Sequence, residues 1–222
     1  MSKSGENKED TSGSFLRRFG INLSRDQTCK IDIFLDELEE WNRKINLTGI
    51  SSRQGIVNEL LLDSIIPTPF LSDEGTFLDV GSGAGFPALP IKICKPRLRC
   101  QLIEPNSKKG RFLKQAIRLT QLRKIEIIEG RIEEQKEMLY PEGYDVITSR
   151  GMAPLPRLLT LTAPHLRSGG RVVVFLGGRS ESLIRESADI IESHRLFLFR
   201  RIPYSLPGKA SKREILILEK HG

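Results

Sequence analysis

Residues 76–90 read Thr-Phe-Leu-Asp-Val-Gly-Ser-Gly-Ala-Gly-Phe-Pro-Ala-Leu-Pro, and they constrain the fold more than any other stretch. A short apolar run, Phe77 to Val80, stops at three alternate glycines, Gly81, Gly83 and Gly85, and a helix-compatible segment comes next. The apolar run suits a strand, and a tight turn at its carboxyl end needs residues that tolerate positive φ. A turn without Cβ atoms also lets a ligand lie against backbone amides at the start of a helix. Together these features describe a nucleotide-type cofactor loop in an α/β sheet, with a glycine-rich surface turn as the alternative.

The spacing selects among cofactors. A dinucleotide fingerprint runs G-x-G-x-x-G, whereas this loop runs G-x-G-x-G with Asp79 two places before the first glycine. A P-loop needs G-K-[ST], which is absent. Asp79 would repel a pyrophosphate but could bond the ammonium end of S-adenosylmethionine, directly or through water.

The chain of 222 residues suits one domain, or a domain with a small extension. No apolar run approaches the ~20 residues of a membrane span, and the polar N-terminus lacks a signal-peptide core; a cytoplasmic protein is expected. Cys29, Cys94 and Cys100 show no C-x-x-C spacing, and the three histidines lack ligand spacing, so no metal is expected. Residues 1–75 carry 9 Lys/Arg against 13 Asp/Glu, and residues 76–222 carry 26 against 15. A basic cofactor-bearing half suggests a polyanionic substrate, most simply nucleic acid, although many soluble domains are basic for solubility alone.

In chain order, residues 1–24 are expected as a disordered tail and 25–75 as a helical extension, with the catalytic domain at 76–222. A helix capped at Asp26 or Thr28 should carry Ile31, Phe34, Leu35, Leu38 and Trp41 on one face. A second should run from about Ser52 to Ile66, with Asp63 and Ser64 either facing the cofactor loop or satisfying nearby backbone. From Thr76 onward strand-like and helix-like segments alternate, as in a parallel sheet covered by helices on both faces. The second strand ends in Glu104, where an acid can accept both ribose hydroxyls of an adenosine cofactor. The Ser107–Leu119 helix aligns Arg111, Lys114 and Arg118 on one face, able to meet phosphates or simply solvated. A turn holding Ile132-Glu133 comes after the third strand. Arg150 comes after the fourth, at the carboxyl edge where ligands bind, and is a candidate for holding substrate or the cofactor's carboxylate. Two last strands without a helix between them should pair antiparallel.

A parallel sheet closed by an antiparallel hairpin, with a D-x-G-x-G-x-G loop and an acid-ended second strand, resembles the class I SAM-dependent methyltransferase fold. Trp41-Asn42, Ile45-Asn-Leu-Thr48, Leu62-Asp-Ser64, Leu78 to Pro87, Lys108-Lys109 with Phe112-Leu113, Arg131-Ile-Glu-Glu134 and Ser149-Arg150 together resemble the glucose-inhibited division protein B (RsmG) family, the 16S rRNA guanine-N7 methyltransferases. The resemblance runs from about Trp41 to Arg213.

That resemblance implies S-adenosylmethionine as cofactor, held by Gly81 and Phe86 in the loop, by Ile132-Glu133 on the adenine side and by Arg150. Asp79, Gly83, Gly85 and Glu104 complete the expected set, and Arg150 is the expected catalytic residue. The implied substrate is one guanine of 16S rRNA, as free RNA or in the small ribosomal subunit, with the protein a monomer. Arg179, Lys209 and Arg213 are the candidates for RNA contact. The chain departs from the family with Glu59-Leu60 in place of the usual Arg-His, Gly177-Gly178 in place of Lys-Gly, and Gly151 in place of Ala. The alternatives are a methyltransferase for another substrate, or a SAM- or RNA-binding protein without turnover.

Overall fold

The computed structural model describes residues 12–177, 180–208 and 212–222. A seven-stranded sheet organises it: β1 (Glu74–Val80), β2 (Arg97–Glu104), β3 (Ile125–Glu129), β4 (Tyr144–Ser149), β5 (Leu166–Leu176), β6 (Leu196–Ser205) and β7 (Lys212–Lys220), in the order β3-β2-β1-β4-β5-β7-β6. β1 to β5 are mutually parallel; β7 runs antiparallel to both β5 and β6. The chain winds outward from β1 through β2 to β3, then returns to place β4 on the other side of β1. That reversal opens a crevice at the carboxyl ends of β1 and β4.

Period-two alternation divides the sheet's side chains between two cores. Phe77, Val146, Val173, Ile215 and Ile217 face one layer, and Leu78, Ile147, Val172, Leu216 and Leu218 face the other. The N-terminal helices cover the first face: α1 (Ser12–Arg17), α2 (Arg25–Ile45), α3 (Arg53–Ile56) and α4 (Leu62–Ile65), together with α5 (Ala88–Cys94) and α6 (Ser107–Leu119). The second face is covered by α7 (Leu155–Thr162), α8 (Ser180–Glu186) and α9 (Ala188–Ser193). None of the described helices is long and apolar enough to cross a membrane.

Three sequence expectations need correction. The stretch expected as tail up to residue 24 is helical from Ser12 to Arg17, because Phe15 and Leu16 supply apolar surface that buries against α2; residues 1–11 lie outside the described residues. The α2 cap is Ser24 rather than Asp26 or Thr28. Ser24 Oγ accepts from Gln27 N at 3.2 Å and Gln27 Oε1 accepts from Ser24 N at 2.9 Å, a reciprocal pair that satisfies two backbone donors. The helix expected over Ser52–Ile66 is capped at Ser52 but is interrupted by a π turn, Val57–Leu61, between α3 and α4. Such turns insert a residue and rotate the downstream side chains about the helix axis, and apolar periodicity gives little sign of them.

The α2 face was legible. Ile31, Phe34, Leu35 and Leu38 are buried, while Trp41 packs edge-on to Phe112 at 5.8 Å and donates to Glu37 at 2.7 Å. Phe34 meets Phe86 at 5.0 Å between centroids, so α2 supports the far end of the glycine loop.

Candidate active site

The loop leaves β1 at Val80 and turns through Gly81, Gly83 and Gly85, all at positive φ (+77°, +57° and +83°). Gly85 is the most confined. A Cβ there would stand 2.8 Å from Leu89 Cδ1, so a side chain would be strained by both conformation and space. The loop is fastened to β2: Gly81 N and Ser82 N donate to Ile103 O at 2.9 and 3.0 Å, and Gly83 N donates to Glu104 Oε2 at 2.6 Å. Glu104 Oε1 accepts from Asn106 N at 2.8 Å. The second-strand acid thus sets the loop's position while each of its oxygens retains a lone pair for a ribose hydroxyl.

Asp79 is buried beneath the loop. Its register partner on β4 is Thr148, whose hydroxyl donates to Asp79 Oδ1; Asp79 Oδ2 has no hydrogen-bond partner. Burial pushes the carboxyl up to about 6, against the opposing effects of the Thr148 and Ser82 hydroxyls and the Arg150 charge. An ionised carboxylate with a free buried oxygen is suited to a cationic donor such as an ammonium.

Three cavities adjoin along this edge. One of about 340 Å³ is lined by Gly81, Gly83, Phe86, Glu104, Lys109 and Arg150, among others. A second, of about 370 Å³, is lined by Ile132, Glu133, Arg157 and Leu161, and shares Gly81, Pro105 and Met152 with the first. Ile132 is buried in its floor, whereas Glu133 is exposed and pairs with Arg157 at 3.6 Å. The third, of about 520 Å³, shares Leu60, Arg150 and Gly151 with the first and is bounded by Asp63, Tyr204, Lys212 and Arg213.

Arg150 stands in the wall between the first and third cavities. Its Nη1 lies 3.8 Å from Asp63 Oδ2, and its guanidinium lies 5.9 Å from the Phe86 ring centroid. Burial draws its pKa down, and the Asp63 charge opposes that. Arg213, at the start of β7, donates from Nη1 to Asp63 Oδ2 at 2.8 Å and reaches Glu59 from Nη2 at 3.8 Å. Burial raises the Asp63 pKa, offset by the neighbouring Tyr204 hydroxyl and the Arg213 and Arg150 charges.

Gly81, Gly83, Gly85, Phe86, Asp79, Glu104, Ile132 and Arg150 therefore line or underlie one connected edge, and Arg213 joins them from 63 residues beyond Arg150. Arg179 and Lys209 lie outside the described residues. Of the paired alternatives at Asp63-Ser64, Ser64 satisfies backbone, donating to Leu60 O at 2.5 Å, while Asp63 receives the two arginines. Tyr204 lines the third cavity and was not singled out in the sequence, whereas Asp63 was singled out only as facing the cofactor loop or satisfying backbone. A carboxylate in an otherwise apolar helical segment was the available signal. The α6 face is partly engaged within the protein: Lys114 pairs with Glu129 at 2.6 Å and Arg118 bonds Gln115.

Strand order, the glycine turn and an acid-ended β2 are those of class I methyltransferases. Solved structures agree at the level of fold. A putative O-methyltransferase from Klebsiella pneumoniae superposes with a TM-score of 0.64 over 95% of this chain and 96% of its own, at 13% identity. M. jannaschii TYW2 in complex with AdoMet gives 0.59 over 77% of each chain, at 15% identity. Within that class the sequence is more particular. The GidB family, rRNA small subunit methyltransferase G, matches residues 27–203. Proteins named ribosomal RNA small subunit methyltransferase G are 33% identical in Acetivibrio thermocellus (91% of this chain, 84% of that one) and 34% identical in Dehalococcoides mccartyi (92% and 88%). The chain belongs to the GidB family.

Proposed function

We propose that this protein transfers the methyl group of S-adenosylmethionine to N7 of a guanine in 16S ribosomal RNA, acting in the cytoplasm as a monomer. Family membership supports the reaction, and one observation supports its location: the wall of Leu60, Arg150 and Gly151 shared by the cofactor-side cavity and the basic third cavity. Across that wall a cofactor's methyl group and a base would meet.

The residues suit the cofactor. The free Oδ2 of buried Asp79 provides an acceptor for its ammonium, Glu104 provides acceptors for ribose hydroxyls, and the apolar floor at Ile132 suits adenine. When bound, it supplies an electrophilic methyl group: the guanine N7 lone pair forms the new N–C bond as the C–S electrons return to sulfur. N7 carries no proton, so no general base is required, and no histidine is among the residues lining the shared wall or its two cavities. The protein's contribution is positioning, with the reacting atoms about 3–3.5 Å apart. Arg150, beside both cavities, orients the base. Lys109 at the first cavity and Lys212 at the third flank the entrance with positive charge for phosphates.

Labelled S-adenosylmethionine and small-subunit RNA from cells lacking the protein test this. The label should appear in one guanosine, mapped as the N7-methyl derivative by chemical cleavage. Cofactor binding without transfer to any RNA would favour a non-catalytic binder, and label in a different acceptor would replace the substrate.

A further inference from the structure

The ladder between β6 and β7 contains a bulge. Leu198 pairs with Leu218 and Arg200 with Ile217, so Phe199 is the extra residue. Neighbours in a regular strand point to opposite faces, and a bulge breaks that alternation and re-aims a side chain. Here Phe199 and Arg200 both reach residues of the first face. Arg171 on β5 lays its guanidinium over the Phe199 ring at 3.8 Å, and Arg200 lays its own over the Phe70 ring at 5.1 Å. Arg171 is fixed from two further sides, donating from Nη1 to Phe70 O at 2.6 Å and from Nε to Glu219 at 2.8 Å. Two rings and two guanidinium groups therefore interleave on one surface.

Core packing does not account for this cluster. Phe199 is 36% exposed, and Arg200 is exposed with no carboxylate paired to it among the described residues. The surrounding surface is basic: residues 195–205 and 212–220 hold six Lys/Arg against two Glu. On the same face β6 continues through Ile202 to Tyr204, which lines the third cavity with Arg213. At ~3.3 Å per residue, Arg200 stands about 13 Å along the strand from Tyr204, the span of a few nucleotides.

We propose that Phe199 and Arg200, backed by Arg171 and Phe70, form a docking strip for single-stranded RNA flanking the target guanine. Phe199 stacks an unpaired base and Arg200 meets a phosphate. This rests on the proposed rRNA methylation and adds where the substrate is held away from the reacting atoms. Unstacked RNA bases settle on aromatic rings and guanidinium planes, and that stacking tolerates any base. The excess of positive charge matches a phosphate backbone and opposes pairing of this edge strand with a second copy of the chain.

Binding of small-subunit RNA from cells lacking the protein is measured by filter retention over a range of KCl concentrations. Phe199→Ala should weaken binding about tenfold, within the range for loss of one stacked base, and leave the salt slope unchanged. Phe199→Trp should restore affinity, which a purely structural role for the phenylalanine would not predict. Arg200→Ala should weaken binding and reduce the slope by about one, as for one lost phosphate contact. S-adenosylmethionine affinity by calorimetry and melting temperature should stay near wild type in all three, separating docking from folding and from the cofactor site. If the wild type methylates guanine N7 and both alanine variants bind RNA within twofold of it, the strip is overturned and the reaction stands. A wild type that sediments as a dimer, with Phe199→Ala a monomer, would give the surface to a second copy and also overturn it. Absence of N7 methylation by the wild type would overturn the reaction and the strip with it.

Discussion

The proposed cofactor side and the proposed substrate side of the crevice are built on different principles. The cofactor side is mostly backbone from two strand ends: a three-glycine turn whose amides are tied to Ile103 O and Glu104, with one buried acid, Asp79, beneath it. The proposed substrate side is mostly charged side chains from four separated places: Asp63 after a π turn, Arg150 after β4, Tyr204 on β6 and Arg213 on β7. A backbone-built site should be intolerant of added Cβ atoms and tolerant of surface charge. A side-chain-built site should fail when one member of its charge cluster is removed.

The largest expected effect tests the backbone half. Gly85→Val places a branched side chain at φ +83° with a Cβ 2.8 Å from Leu89. Strain and overpacking of about 1–3 kcal/mol each should lower the melting temperature and remove detectable cofactor binding by calorimetry. Cofactor affinity within a few-fold of wild type would break the comparison at its stronger end. Arg150→Ala tests the other half. Buried Asp63 keeps Arg213 at 2.8 Å, so the fold should hold, while loss of the side chain proposed to orient the base should lower methyl transfer about a hundredfold, with cofactor affinity changed far less. Unaltered transfer would remove Arg150 from the mechanism.

Asp79 joins the two halves and offers a pH test. Its folded pKa, raised to about 6, exceeds the ordinary carboxylate value, so the folded state keeps a proton that the unfolded chain releases. Stability is therefore greatest below about pH 4 on this group's account and is lost as pH rises through about 6. Asp79→Asn should remove that dependence and melt higher than wild type at pH 8, by at most about 2–3 kcal/mol. The same ionisation should make wild-type cofactor affinity rise across the interval and the variant's stay flat. A sloping variant profile would assign the titration elsewhere. The smallest effect belongs to Glu133→Ala. Its pair with Arg157 is exposed and worth about 0–1 kcal/mol, so cofactor affinity should change by no more than a few-fold if Ile132 and the backbone hold the adenine side. A large loss would make the Glu133 carboxylate a direct ligand.

The two halves were unequally legible in the sequence for the same physical reason. Residues 76–90 hold a strand, a turn and a helix start in contiguous order, and positive φ restricts the turn to glycine, so the loop's shape is written locally. Glu104 was legible because a strand's end fixes where its last side chain stands. Strand alternation likewise forecast the sheet and its antiparallel hairpin, and apolar spacing forecast the buried face of α2. The Ser24 cap was missed because Asp26 and Thr28 are also competent caps, and the choice rested on the Gln27 side chain returning to Ser24.

The sequence by itself determined the cofactor loop, the order of strands and helices, and the family. Tertiary structure alone decided that Asp63 would leave the company of Leu61, Leu62 and Ile65 for two arginines, one of them 150 residues away. Nothing in a local pattern distinguishes a helix carboxylate that faces water from one that a π turn and a returning hairpin enclose. Burial and charge pairing belong to the assembled fold, because they depend on which distant segments exclude water from the same place.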